Sequence, residues 1–246
     1  MDSSNDTPLK RLSADLRPGM PVGSDWLAQR GVSAQLAYGY VKRGWLERVA
    51  HGVFARPGEP LDRDLSLRLL AETGYRVHVG GKTALAWHGF HHNLALGGEL
   101  LTLYKPSGRS LPHWFTTRFR CHVNARWLFD EGDEGLLYVT NANAGHRGVP
   151  VSEPERATLE MLSEIPRWQS VEEAEQLVEG LVSLRRDVLH ELLRLCVSIK
   201  TVRLFLHFAR KFDLPALQGL QVDQLRTGSK SRYVRKLAQG TLVLKP

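Results

Sequence analysis

Residues 22–56 read VGSDWLAQRGVSAQLAYGYVKRGWLERVAHGVFAR: two short helical stretches parted by a glycine, then a two-stranded ribbon. Ser24 stands where a hydroxyl can accept from the unpartnered N–H groups that open a helix. Trp26 and Leu27 give that helix an apolar side, and Gly31 ends it. Ser33 is placed to cap a second helix that runs to Arg43 and stops at Gly44. Leu36, Ala37, Tyr40 and Val41 fall on one face of it at helical spacing, with Gln35, Tyr38 and Lys42 opposite. Residues 45–49 and 53–56 are strand-like around Ala50, His51 and Gly52, which suit a hairpin turn. Helix, turn, helix and basic hairpin in this order predict a winged helix-turn-helix.

In such a motif the second helix enters the major groove and its first residues meet base edges. Gln35 can pair bidentately with an adenine edge, and Ser33 can donate or accept. Tyr38 shares that outer surface. Lys42, Arg43 and Arg48 are candidates for phosphates, which position a protein without reading sequence. His51 at the wing tip can meet a phosphate or the minor groove. Double-stranded DNA is the expected partner. The alternatives are a winged helix that docks a protein, or a helical hairpin with a solvated outer face, since exposed Gln and Lys are ordinary.

A chain of 246 residues has room for one large domain or two smaller ones with a sizeable core. Its hydrophobic fraction of 42% and charged fraction of 24% are those of a soluble globular protein. No apolar run approaches the length that spans a bilayer, so no membrane partner is expected. The first residues, MDSSNDTPLK, are polar and acidic, unlike a secretory signal. Cys121 and Cys196 make neither a disulfide framework nor a zinc pattern. A reduced, cytoplasmic location is the expectation.

The net charge of +7 favours an anionic partner, and its distribution says more than its sum. Residues 1–58 carry 8 Lys/Arg against 5 Asp/Glu, and residues 59–193 carry 14 against 19. Residues 194–246 carry 11 against 2, so the cationic excess sits at the far end. Arg203, Arg210, Lys211, Arg232, Arg235 and Lys236 are candidates for a second basic surface, with a merely solvated face as the alternative.

Along the chain, Leu9, Leu12 and Leu16 suit the inner side of a first helix, and residues 17–21 a turn. Two prolines and a glycine in residues 56–60 make the clearest linker. They divide the chain into 1–58, the winged helix, and 59–246, which is β-containing over 59–150 and helical over 151–246. Helices are expected from Asp62 to Glu72 and over 81–87, with strands over 77–79, 100–104, 114–123 and 136–140. Ser152 with Glu155, and Ser170 with Glu173, match the capping box. Residues 185–196 and 200–212 follow as amphipathic helices. The fold class is α+β: an N-terminal winged helix-turn-helix, then a larger mixed α/β domain with a helical C-terminal part.

Chemical motifs are sparse. Gly80-Gly81-Lys82-Thr83 resembles the end of a phosphate-binding P-loop, but Arg76 stands where that motif needs its first glycine. His88, His91 and His92 cluster without a carboxylate or thiolate at ligand spacing. Asp62 and Asp64 are spaced like a metal-holding pair, yet helix-end acids explain them better. No nucleophile elbow, zincin motif or dinucleotide fingerprint is present. No catalytic residue, metal or cofactor is expected, and a nuclease-like enzyme using Asp62, Asp64 and the histidines is the least favoured reading.

With these pieces in order, the chain resembles the AbiEi antitoxins of type IV toxin–antitoxin and abortive-infection systems. The resemblance rests on Gly44-Trp45-Leu46 with Gly52-Val53-Phe54, on Gly80-Gly81 through Trp87-His88-Gly89, and on Ser152-Glu153-Pro154-Glu155-Arg156-Ala157. It implies a winged helix that binds the operator of its own operon and represses transcription. It also implies a C-terminal domain that counteracts a cognate nucleotidyltransferase toxin, directly or through its substrate. The family brings no catalytic residues with it.

Overall fold

The computed structural model describes residues 8–90, 100–105, 108–132, 136–142, 145–146, 148–229, 233–237 and 240–244. They form two compact units, the first drawn from 1–76, 109–119 and 142–149, the second from 77–108, 120–141 and 150–246.

The first unit opens with α1 (Pro8–Asp15) and β1 (Val22–Gly23), followed by α2 (Ser24–Ala28) and α3 (Ala34–Lys42). The wing is β2 (Glu47–Ala50) and β3 (Val53–Ala55), and the antiparallel sheet has the order β1-β3-β2. Leu12, Leu16, Val22, Leu27, Val32, Ala37, Tyr40 and Leu46 form one buried cluster beneath these helices. Apolar positions at helical spacing therefore meet a single core. Gly31 and Gly44 take φ of +77° and +72°, the left-handed conformation that lets the chain leave a helix without steric cost.

Ser24 does not cap α2. Gly23 is held extended by pairing with Val53, so the cap falls on Gly23 and Ser24 becomes the first helical residue. Its N–H donates to the carbonyl of Gly52 at 3.0 Å instead. Ser33 does cap α3, its hydroxyl accepting from the N–H of Leu36 at 3.2 Å.

After residues 56–60 the chain forms α4 (Arg63–Glu72), capped by Asp62, whose carboxylate accepts from Leu65 N–H at 2.8 Å. The Asp62 N–H donates to Gly19 O at 2.8 Å, which ties this helix to the same unit as the wing. A Cβ at Gly19 would lie 2.9 Å from Pro60 O, so only glycine permits the approach.

The second unit begins with β4 (His78–Val79), α5 (Gly81–Trp87) and β5 (Leu101–Tyr104). Next in the chain, α6 (His113–Thr116) belongs to the first unit. A strand over 114–123 was the expectation. Helix forms up to Thr116 because Pro112 supplies a preset cap and Phe115 meets Phe119 four residues on, with ring centroids 5.0 Å apart. Only Cys121–Asn124 remains as strand β6.

Then come β7 (Val139–Asn141) and β8 (Pro150–Ser152), which complete a five-stranded sheet of order β6-β5-β4-β8-β7. β5/β6 and β4/β8 are parallel, β4/β5 and β7/β8 antiparallel. The rest is helical: α7 (Pro154–Ser163), α8 (Val171–Glu179), α9 (Arg186–Leu195) and α10 (Ile199–Lys211), before a hairpin of β9 (Tyr233–Leu237) and β10 (Gly240–Leu244). Ser170 caps α8 as its sequence predicts, accepting from Glu173 N–H at 3.1 Å. α7 packs against α5, α8, α9 and α10, and its Leu159 and Leu162 are fully buried with Leu189, Leu193, Phe205 and Phe208. Among the described residues no helix is long and apolar enough to cross a membrane.

Candidate nucleic-acid interface

The outer face of α3 is set by what its inner face buries. Ala37 and Tyr40 are 2% and 4% exposed, so helical geometry turns Gln35, Tyr38 and Lys42 outward. All three are exposed, and Tyr38 is 59% so despite its large ring. Lys42 Nζ lies 4.7 Å from the Tyr38 ring centroid, which steadies the cation without neutralising it. Arg43 lies over Trp45, 5.4 Å from its centroid, and Trp45 in turn meets Tyr40 at 5.4 Å. Ser33 is exposed, but its oxygen already accepts from Leu36, so its free capacity toward a ligand is chiefly the hydroxyl proton.

On the wing, Arg48 Nη2 and His51 Nδ1 are 3.2 Å apart. A guanidinium only donates, so Nδ1 accepts and the imidazole keeps its proton on Nε2 in this arrangement. A bulge interrupts β2 between Arg48 and Ala50, and Gly52 takes φ +71° at the turn. The seven residues expected to touch DNA, Ser33, Gln35, Tyr38, Lys42, Arg43, Arg48 and His51, are thus all exposed. Three share a helix face, two pair on the wing, and Arg43 sits at the helix end over Trp45. Trp45, 45% exposed, precedes β2 rather than opening it.

The second basic surface is smaller than its sequence suggests. Arg203 is 6% exposed and donates to the carbonyls of Thr227, at 2.6 Å, and Ser229. It is an internal tie because α10 is buried along most of its length. Arg210 and Lys211 are exposed, with Lys211 paired to Glu175 at 2.8 Å. Arg235 and Lys236 lie on β9, and Arg232 lies outside the described residues.

The remaining motifs are occupied internally. Gly81 N–H donates to Glu160 Oε2 at 3.1 Å, so a carboxylate takes the place a P-loop gives to phosphate. Lys82 pairs with Glu173 at 3.0 Å, and Thr83 Oγ1 accepts from Thr102 N–H at 3.0 Å. Asp62 is a cap, and Asp64 pairs with Arg63 at 2.9 Å and with His146. His88 Nε2 donates to Ser152 O at 2.9 Å, while His91 and His92 lie outside the described residues. Among the described residues no group of three His, Cys, Asp or Glu side chains could hold a metal ion.

Ser152 and Glu155 do not form a capping box. Glu153 is the cap of α7, and Ser152 Oγ turns instead to Glu160 Oε2 at 2.8 Å. Glu160 also accepts from His78 Nε2 at 2.8 Å and Arg156 Nε at 2.9 Å, fully buried between β4, β8 and α7. Burial pushes its pKa up, but His78, Arg156 and Ser152 outweigh that and hold it below the ordinary value. Glu155 behaves alike: burial raises it, and three hydrogen bonds from Arg185 bring it below. Burial and the charges of Glu160 and Glu164 push the Tyr104 phenol well up. Sequence spacing does not expose this network, because His78 and Gly81 lie 82 and 79 residues from the carboxylate they share.

A winged helix followed by a mixed α/β and helical unit defines the class: a winged-helix protein with a large accessory domain. The chain belongs to the AbiEi antitoxin family, transcriptional regulators of type IV toxin–antitoxin systems. The family's N-terminal domain matches residues 5–96 and its type IV antitoxin regulator model matches residues 98–245. This is the family whose motifs the sequence resembles. A solved structure, the crystal structure of the RV2827C protein from Mycobacterium tuberculosis, has a similar fold, with a TM-score of 0.62 at 18% identity. That likeness covers 92% of this chain and 86% of that one. No curated protein matches the sequence.

Proposed function

We propose that the chain is a non-catalytic antitoxin and autorepressor, which binds operator DNA of its own operon through α3 and the wing. In the same reading the second unit counteracts a cognate nucleotidyltransferase toxin, and the protein works in the cytoplasm with the DNA it regulates. One observation carries it: a capped helix presents Gln35, Tyr38 and Lys42 on one exposed face, beside a wing bearing Arg48 and His51, in a regulator family. Gln35 suits an adenine edge in the major groove. Lys42, Arg43 and Arg48 suit the flanking phosphates.

Gel-shift titration against the DNA upstream of the gene tests this at graded salt. Binding weakens steeply with salt as phosphate counterions are released. Gln35→Ala relaxes base choice, Lys42→Ala weakens all duplexes about equally, and each costs about 1–3 kcal/mol. Unchanged operator binding by the double variant would remove α3 from the interface. The toxin half is tested by co-expression with the product of the adjoining gene, where restored growth in the presence of this chain supports it. A second reading, a winged helix that docks a protein, is favoured by the exposed rings of Tyr38 and Trp45. Retention of such a partner with no affinity for duplex DNA distinguishes it.

A further inference from the structure

The second unit contains a cavity of about 670 Å³, bordered by β6, the segment after it, residues 163–168 and Lys200. We propose that it binds a nucleotide, with the base stacked on Trp168 and the phosphate held by Arg126 and Arg167. This goes beyond operator reading and does not depend on it. The volume lies within the range of about 300–1,000 Å³ that small-molecule sites occupy.

Trp168 is the central feature. Its ring lies against His122, with centroids 4.1 Å apart and planes 27° from parallel. With one face against the imidazole and 58% of the residue exposed, the indole offers its other face to solvent. The platform is also fixed from below. His122 Nε2 lies 3.3 Å from Glu164 Oε2, and Glu164 Oε1 accepts from Tyr104 OH at 3.2 Å and from Asn124 Nδ2. A rigid, preformed stacking surface loses little freedom when a base arrives.

The charge around it has one sign in excess. Glu164 is the acid of the lining, and its three partners occupy it. Arg126 and Arg167 are exposed, and among the described residues neither makes an ion pair. Lys200 adds a third cation, its Nζ donating to Ser163 O at 2.8 Å and Ile165 O at 2.6 Å. An open π face beside uncompensated guanidinium groups is the pairing that base and phosphate require together. An acidic peptide needs the cations but has no use for the indole. The nucleotide comes either free or as part of a single strand, and the recognition chemistry is the same.

Calorimetric titration of the full chain with AMP, CMP, GMP and UMP, and with short single-stranded RNA and DNA, tests this. Binding is expected, and loss of the stacking partner in Trp168→Ala weakens it about tenfold or more. Arg126→Ala with Arg167→Ala abolishes it, and Gln35→Ala with Lys42→Ala leaves it unchanged, which separates it from the head. Mononucleotides binding as well as strands marks a free nucleotide as the ligand; strands alone binding marks a nucleic-acid segment. In the unaltered chain the Trp168 indole N–H resonance shifts on titration, independent of how any variant folds. No binding at about 10 mM, where even millimolar affinity saturates, or an unmoved indole resonance, overturns the proposal. So does equal binding of polyglutamate that Trp168→Ala leaves intact.

Discussion

Gly80 shows how a single hydrogen atom in place of a methyl group can hold a site together. A Cβ there would lie 2.2 Å from Glu160 Oε2 and 2.5 Å from the Tyr104 ring. Gly80→Ala is expected to cost about 1–3 kcal/mol by overpacking, read as a lower urea midpoint at unchanged slope. Glu160→Ala goes further, since Arg156 and His78 lose their shared carboxylate. Arg156 keeps Glu131 and the Leu137 carbonyl, so the loss falls on the buried donors left without an acceptor, about 1–3 kcal/mol each, and urea unfolding measures it. Cys196, fully buried, has its thiol pushed up to about 11 by burial. Thiolate is the reactive form, so Cys196 is expected to resist alkylation at neutral pH until the chain unfolds, as mass spectrometry of labelled peptides reports. The Gly-Gly pair was visible in the sequence, but its reason was not. A carboxylate from another element takes the Gly81 N–H, a partner that a glycine turn opening a helix does not announce.

Helix starts divide by whether the preceding residue is free to leave the helix. Ser33→Ala is expected to cost about 1 kcal/mol, because the Leu36 N–H loses its acceptor. Ser24→Ala is expected to change stability by no more than a few tenths of a kcal/mol, since that hydroxyl caps nothing. Comparing the two unfolding curves tests the assignment directly. Both serines look alike in sequence; what separates them is the pairing of Gly23 with Val53, a contact thirty residues long. The Ser-capped starts of α3 and α8 were therefore legible, and α3, closed by Gly44, was legible to within a residue at both ends. Residues 114–123 were not, because β-rich composition conceals a Phe pair at helical spacing behind a proline. On the outer face of α3 the exposure of Gln35, Tyr38 and Lys42 followed from period alone. Arg203 failed the same kind of reasoning, because charge in a sequence does not say which face of α10 is buried.

Across the whole molecule, two buried carboxylates favour the fold less as pH falls, against Glu131, which burial pushes the other way. Glu155 and Glu160 keep their charge to lower pH than they do unfolded, where the ordinary value is 4.5. The unfolded chain therefore takes up protons first on acidification. Their contribution is fully present above that pH and is lost as pH falls through the depressed folded values. A melting temperature steady near neutrality and dropping below about pH 4.5 is expected, and in Glu155→Gln the drop is shallower. In the winged head the helices and the wing were legible because most of their contacts are local, while the β1–β3 pairing that displaces the Ser24 cap was not. The second unit was legible only as a β-containing stretch followed by helices, since its sheet order and the His78–Glu160 pair join distant segments. That distance bears on how the protein is made. His78 leaves the ribosome 82 residues before Glu160, a lag of about 4–16 s at ordinary rates of synthesis. Throughout that interval the nascent head can already be complete, while the strand that carries His78 still waits for the helix that closes over it.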